Sequence, residues 1–376
     1  MRKICYVSGT RADFGLMLTV LRFLQADPNI DLSLCVTGMH LSKSYGNTVQ
    51  EIEREGFRIC ARIPVDVEKT TSASMVCAIG QEIVAMTEVF SKEKPDMVLL
   101  LGDRGEQLAA AIAAAHLNIH IGHIHGGERS GTVDEMVRHA VSKFSHYHFV
   151  ATENSKERLI RMGEREDSIF VIGAPGLDQL KELNIPARNI ICEQVGFDPK
   201  KPIGLFVFHP VVQEMETMAQ QAQIMMKAAL DCGLQWICLQ PNSDAGGFKI
   251  REVLKTYEHN PNIKIYAHLE RTQYLYWLGT VDLMLGNSSS GIIEAASFNL
   301  PVINVGQRQN LRERSGNVID SLVNYETITD NIQTVLNTSK RKVNNIYGDG
   351  SASMRCHELL TTLPLSPELL SKCNAY

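Results

Sequence analysis

A chain of 376 residues exceeds what one hydrophobic core serves, so two domains are expected; with 44% apolar and 21% charged residues it has material for two cores, which excludes a disordered chain. The formal charge of −5 gives no global basic field, and the basic cluster Lys340-Arg341-Lys342 reads as a solvated surface run, which argues against nucleic acid or an anionic membrane surface as partner. Nine cysteines scattered singly between Cys5 and Cys373, with no CxxC pair, fit a reducing, cytoplasmic setting better than a disulfide framework or a zinc site.

The N-terminal apolar stretch breaks at Ser8-Gly9, too short for a signal-peptide core, and no segment is expected to reach the roughly 18 apolar residues of a membrane span. Short apolar runs ending in Gly, Asn or Ser then alternate with stretches of helical period, the pattern of βα units around a parallel sheet. Residues 3–8, 32–37, 96–101, 120–124, 148–151 and 169–172 are predicted strands of a first sheet. Met75, Ile79, Ile83, Met86 and Phe90 recur at steps of three or four, so 74–91 is a predicted amphipathic helix. Thr132 with Glu135 three residues on reads as a capping box, and the following helix is expected to run from about Asn154 to Gly163.

After Gly173-Ala174-Pro175-Gly176 the apolar pattern lapses through a polar stretch with Pro186, Pro199 and Pro202, which places a domain boundary there, 1–176 before and 177–350 after. A second strand series follows at 205–208, 236–239, 263–266, 283–285 and 301–305, with helices near 214–231, 247–257, 271–279, 290–298 and 326–337. The expected class is α/β, two doubly wound domains facing each other across a cleft, with ligand groups just beyond the strand ends.

Five strand ends carry chemistry. The first ends in Ser8-Gly9-Thr10-Arg11-Ala12-Asp13, where Arg11 at a helix start suits a phosphate as well as a plain surface arginine; without GxGxxG a dinucleotide site is a weak reading. Gly102-Asp103-Arg104 places a carboxylate and a guanidinium at the ligand edge, unless Asp103 simply caps the next helix. In His120–Glu128, period two puts His123 and His125 on one side, and Gly126-Gly127 permits close ligand approach; a third metal partner is not evident, so no metal is expected. Asp134 and Arg138 lie one helical turn apart and read equally as a surface ion pair. His209-Pro210 closes the first strand of the second domain. Gly286-Asn287-Ser288-Ser289-Ser290-Gly291 brings small residues to a helix start, where a diphosphate fits, with Glu294 positioned for ribose hydroxyls and Arg308 for a phosphate; a serine-rich cap is the alternative.

Taken together, GTRAD, VTGMH at 36–40, YGNT at 45–48, LGDR at 101–104, HIHGGE at 123–128, DExxRHAxSK at 134–143, FHP at 208–210 and GNSSSG at 286–291 resemble the hydrolysing UDP-N-acetylglucosamine 2-epimerases of sialic-acid biosynthesis, in order from residue 4 to about 320. The resemblance implies a GT-B-like fold of two Rossmann-type domains, with a C-terminal helix within 351–376 crossing back onto the first. It places Arg11, Ser288, Ser289, Glu294 and Arg308 where the family binds UDP, with Ser290 and Gly291 in the same loop. It places His40, Asp103, Arg104, Asp134 and His209, with Glu128, where the family handles the sugar. Many members have HIEGGE, whose first Glu is counted among the catalytic carboxylates, and here that position is His125; the expected catalytic set is therefore Asp103, Asp134, His125 and His209.

The implied reaction is elimination of UDP from UDP-N-acetylglucosamine and hydration of 2-acetamidoglucal to N-acetylmannosamine, with no cofactor, by a homodimer or homotetramer. The alternatives are the same chemistry on a 2,4-diacetamido-2,4,6-trideoxy sugar nucleotide, a GT-B glycosyltransferase, and a non-catalytic nucleotide-sugar sensor.

Overall fold

The structure, a computed structural model, describes residues 1–69, 71–180, 183–339 and 341–376, so Lys340 of the basic run lies outside the described residues. The first sheet comprises β1 (Arg2–Ser8), β2 (Ile30–Thr37), β3 (Ile59–Ile63), β4 (Met97–Leu101), β5 (His120–Ile124), β6 (Tyr147–Val150) and β7 (Ile169–Val171), in the order β3-β2-β1-β4-β5-β6-β7. The second comprises β8 (Ile203–Val207), β9 (Gln235–Leu239), β10 (Ile263–Tyr266), β11 (Leu283–Gly286), β12 (Val302–Val305) and β13 (Val318–Ser321), in the order β10-β9-β8-β11-β12-β13. Every strand pair is parallel. Central strands such as Met97–Leu101 and Ile203–Val207 are buried along their whole length, as helices on both faces require.

The sequence pattern misses β3 and β13, and for one reason. Both are half-exposed edge strands with no continuous apolar run.

Thirteen α-helices connect the described strands and flank them: α1 (Arg11–Ala26), α2 (Val49–Arg54), α3 (Ser72–Glu93), α4 (Gly105–His116), α5 (Val133–Phe144), α6 (Glu153–Arg161), α7 (Arg188–Glu193), α8 (Met218–Asp231), α9 (Gly247–Lys255), α10 (Arg271–Thr280), α11 (Ser289–Ile293), α12 (Tyr325–Leu336) and α13 (Ala352–Thr362). Contrary to the sequence expectation, α3 is long and apolar enough, by length and composition, to cross a membrane. Here it is an outer layer of the first domain: Glu82, Met86 and Phe90 are buried against the sheet, whereas Val76 and Val84 are 68% and 64% exposed.

The start of α5 also differs from expectation. Thr132 caps it through the Asp134 N–H, but Glu135 accepts from the Ser130 N–H (2.9 Å), so the reciprocal half of the capping box is not made. The C-terminal helix α13 packs on α1. Cys356 and Leu360 join the core containing Leu21 and Leu24, His357 meets Asp27 (2.9 Å), and Arg2 donates to the Leu363 carbonyl (2.8 Å).

Candidate active site

The carboxyl ends of both sheets face one cleft of ≈ 330 Å³, lined from the first domain by Arg11, Tyr45, Asp103, Arg104, His125 and Glu128 among others, and from the second by His209, Arg271, Ser288, Ser289, Ser290, Glu294, Arg308 and Arg312.

Among the groups expected to meet the nucleotide, Thr10 caps α1 and leaves Arg11 at its first position. Glu51 holds the Arg11 Nε at 2.8 and 3.0 Å, while Nη2 is buried with no hydrogen-bond partner. The predicted helix at 290–298 forms as the short α11 followed by a 3₁₀ turn, Ala295–Phe298. Ser288 is its N-cap, and Ser290 Oγ accepts from the Tyr274 hydroxyl (2.6 Å). Glu294 is buried in an ion pair with Arg271, whose Nη2 also donates to the Gly176 carbonyl (2.9 Å) and so ties the two domains at this point. Gly291 does not approach the ligand space: a Cβ there would meet Val302 at 2.9 Å, so its smallness serves the packing of α11 on β12. Arg308 donates to the Asn287 carbonyl (3.2 Å) and reaches Asp134 at 3.4 Å.

Among the groups expected to meet the sugar, β4 ends at Leu101 and is followed by Gly102, whose φ of +79° suits glycine; Asp103 is not the helix cap, because Arg104 holds that position. Asp103 is thereby free to accept from Arg138, which also donates to the His125 carbonyl (2.7 Å). Arg138 thus pairs with Asp103, not with its helical neighbour Asp134. Arg104 is held by Glu106 (2.9 Å) and, across the cleft, by Asp244 (3.3 Å). Asp134, at the start of α5, stands behind Arg308 and beside Asp103; burial first and the Asp103 charge second raise its pKa, against the pull of Arg308.

The two histidines predicted to share a strand face diverge, because β5 ends at Ile124 and His125 takes a left-handed φ of +62°. His123 is fully buried between the Gly102 carbonyl (2.8 Å) and Ser142 (3.0 Å), and burial lowers its pKa to about 3, so it stays neutral. His125 turns to the cleft and engages Glu128 through Nδ1, which leaves Nε2 for a ligand. Burial opposes ionisation of Glu128, but Arg312, His125 and Arg138 hold its carboxyl well below the usual range.

Gly126 and Gly127 also depart from their expected role. Side chains there would meet His123 and Ser142, and the Ser155 carbonyl, respectively, so both glycines serve packing and not ligand approach. His40 likewise lies behind the wall, clamped between Ser8 (2.9 Å) and Thr48 (2.8 Å), with burial lowering its pKa to about 4; it supports the cleft without lining it. His209 does line it. The Asn242 N–H approaches its Nδ1 (3.3 Å), which puts the proton on Nε2, and burial lowers its pKa to about 3.

Sequence reasoning assigned no role to Arg271, Arg312, Asp244 or Tyr45, although YGNT marked the last. The Tyr45 hydroxyl is buried in the cleft wall with no partner, under Arg251 of α9, whose guanidinium lies 5.1 Å from the ring centroid.

The family profile described as UDP-N-acetylglucosamine 2-epimerase matches residues 22–361. The chain belongs to this family. Within the family it is 59% identical, over all 376 residues and the full length of both chains, to the UDP-N,N'-diacetylbacillosamine 2-epimerase (hydrolyzing) of Legionella pneumophila. It is 35% identical over 350 residues, 93% of this chain and 92% of the other, to the UDP-N-acetylglucosamine 2-epimerase of Neisseria meningitidis serogroup B. The crystal structure of Methanocaldococcus jannaschii UDP-GlcNAc 2-epimerase in complex with UDP-GlcNAc and UDP superposes with a TM-score of 0.79 at 22% identity, covering 96% of this chain and 99% of that one. The family fold is thus present throughout, two GT-B-like Rossmann-type halves, and membership makes the chain a 2-epimerase acting on a UDP-sugar.

Proposed function

We propose that the chain is a hydrolysing 2-epimerase of a UDP-2,4-diacetamido-2,4,6-trideoxy sugar, converting UDP-N,N'-diacetylbacillosamine and water to UDP and free 2,4-diacetamido-2,4,6-trideoxymannose. The observation that carries this is the 59% identity along both whole chains to the Legionella enzyme of that name, against 35% to the Neisseria UDP-N-acetylglucosamine enzyme. It reverses the order of substrates drawn from the motifs. UDP-N-acetylglucosamine, giving N-acetylmannosamine for sialic acid, becomes the second reading. The cleft supports the choice: Met39 and Leu101 offer apolar wall to a C6 methyl, and the unpartnered Tyr45 hydroxyl is the kind of group a C4 acetamido would engage.

In this reading the diphosphate meets the free Nη2 of Arg11, the Ser288–Ser290 turn and Arg308, and the ribose lies toward Glu294. In the first step a carboxylate of the Asp103/Asp134 pair takes the C2 proton as the C1–O bond breaks. The electron pair leaves on the UDP oxygen, whose charge the arginines stabilise. In the second step C2 of the glycal receives a proton and water adds at C1. Inversion at C2 requires removal from one face and delivery to the other, so two proton carriers are needed. The carboxylate pair is one and the His125–Glu128 dyad is the other, with neutral His209 donating a hydrogen bond. Measuring kcat/KM by UDP release from the two sugar nucleotides tests the substrate: at least tenfold preference for the diacetamido sugar is expected, and preference for UDP-N-acetylglucosamine overturns the assignment.

A further inference from the structure

Arg308 lines the cleft and Asp134 lies directly behind it, their polar atoms 3.4 Å apart, with 13% and 22% of the two side chains exposed. One Arg308 nitrogen is committed to the Asn287 carbonyl at the end of β11, so the guanidinium spans from the nucleotide loop to the sugar-side carboxylates. The charged groups facing Asp134 are Asp103 from the end of β4, Arg104 ahead of α4, Asp244 from the loop before α9, and Arg308. Arg104 is occupied by Glu106 and Asp244, and Arg138, one turn along α5, is occupied by Asp103 and the His125 carbonyl. Among the described residues Arg308 is therefore the only cation in ion-pair contact with Asp134.

We propose that Arg308 is a shared cation: it holds Asp134 in an ion pair when no nucleotide is bound, and the substrate diphosphate takes the guanidinium and frees Asp134 as a proton acceptor. The inference rests on the placement of the diphosphate given under Proposed function, and it makes Arg308 a positioning residue for the base as well as a phosphate ligand. A diphosphate carries more charge than one carboxylate and offers the guanidinium paired oxygens, so it wins the competition. Once the cation is drawn away, the largest pull on the Asp134 carboxylate is lost, and only the weaker one of Arg104, itself held by Glu106 and Asp244, still opposes the burial and like charge that make Asp134 a stronger base. The nucleotide half of the substrate would then arm the chemistry at the sugar half, and the idle enzyme would keep its base neutralised.

Linkage is reciprocal, which gives a test independent of turnover. If carboxylate and diphosphate compete for one guanidinium, removing the carboxylate must tighten UDP. By calorimetry at pH 8, Asp134→Asn is expected to bind UDP about 3- to 10-fold more tightly than the wild type. The gain should shrink as the pH is lowered and wild-type Asp134 takes up a proton, releasing Arg308 by itself. In an Arg308→Gln background the same substitution should give no gain, whereas simple repulsion between Asp134 and phosphate would persist there. Asp134→Ser repeats the comparison should Asn unsettle the start of α5. Equal or weaker UDP binding by both Asp134 variants at pH 8, a gain that ignores pH, or a gain that survives Arg308→Gln would overturn the proposal. Unchanged UDP affinity in Arg308→Gln alone would instead remove the diphosphate placement on which it rests.

Discussion

Asp103 and Asp134 are both carboxylates at element ends, and what separates them is the arginine each one meets. Asp103 is held by Arg138, a neighbour within the first domain, while Asp134 answers to Arg308 from the second. Loss of the Asp103 carboxylate should therefore affect chemistry and spare the nucleotide. Asp103→Asn keeps shape but cannot accept the C2 proton or balance Arg138, so turnover is expected to fall by about 10²–10⁴ with UDP affinity within twofold of wild type. Parallel loss of UDP binding would give Asp103 a structural task only. At this scale the sequence marks most cleft residues by type, because charged and histidine side chains directly after an apolar strand have few other reasons to be there. It fails where one dihedral decides. Strand alternation paired His123 with His125, and the left-handed φ at His125 sends one into the core and the other into the cleft.

The elements that carry the site were legible wherever they are fully buried. Strands β4, β8 and β11 announce themselves as apolar runs, β1 does so from Ile4 to Val7, and β5 alternates isoleucine with histidine and glycine; the carboxyl ends of these strands lead to Arg11, Asp103, His125, His209 and Ser288. Glycines were read less well, since a glycine needed for packing and one needed for ligand approach look alike in sequence. Gly127 is the clear case, with φ +73° and the Ser155 carbonyl of α6 where a Cβ would sit. Gly127→Ala is expected to lower stability by about 1–3 kcal/mol in urea unfolding, through backbone strain and the displaced helix. Unchanged stability would return Gly127 to the role of a ligand-approach residue.

Across the whole molecule, the cross-cleft pairs were out of reach of sequence reasoning. Arg312 meets Glu128, 184 residues away, and Arg308 meets Asp134 across 174, so no local spacing signals either contact. His40, His123 and His209 are among the histidines that the fold holds neutral, with pKa values lowered by burial to about 4, 3 and 3. Their folded values lie below the unfolded value of about 6.5, so the unfolded chain binds more protons on acidification and stability falls as pH drops through that value. Each is expected to cost up to about 2 kcal/mol at pH 5 relative to neutral pH, and His40→Gln should flatten the slope of urea stability between pH 7 and 5. An identical slope in the variant would mean that His40 titrates as in the unfolded chain.

The account of the reaction is tested most directly by incubating the protein with UDP-N,N'-diacetylbacillosamine in D₂O and following products by NMR. Elimination and hydration through two proton carriers predict equimolar UDP and free 2,4-diacetamido-2,4,6-trideoxymannose with deuterium at C2. A C2 epimer still attached to UDP, or free sugar that keeps protium at C2, would contradict it.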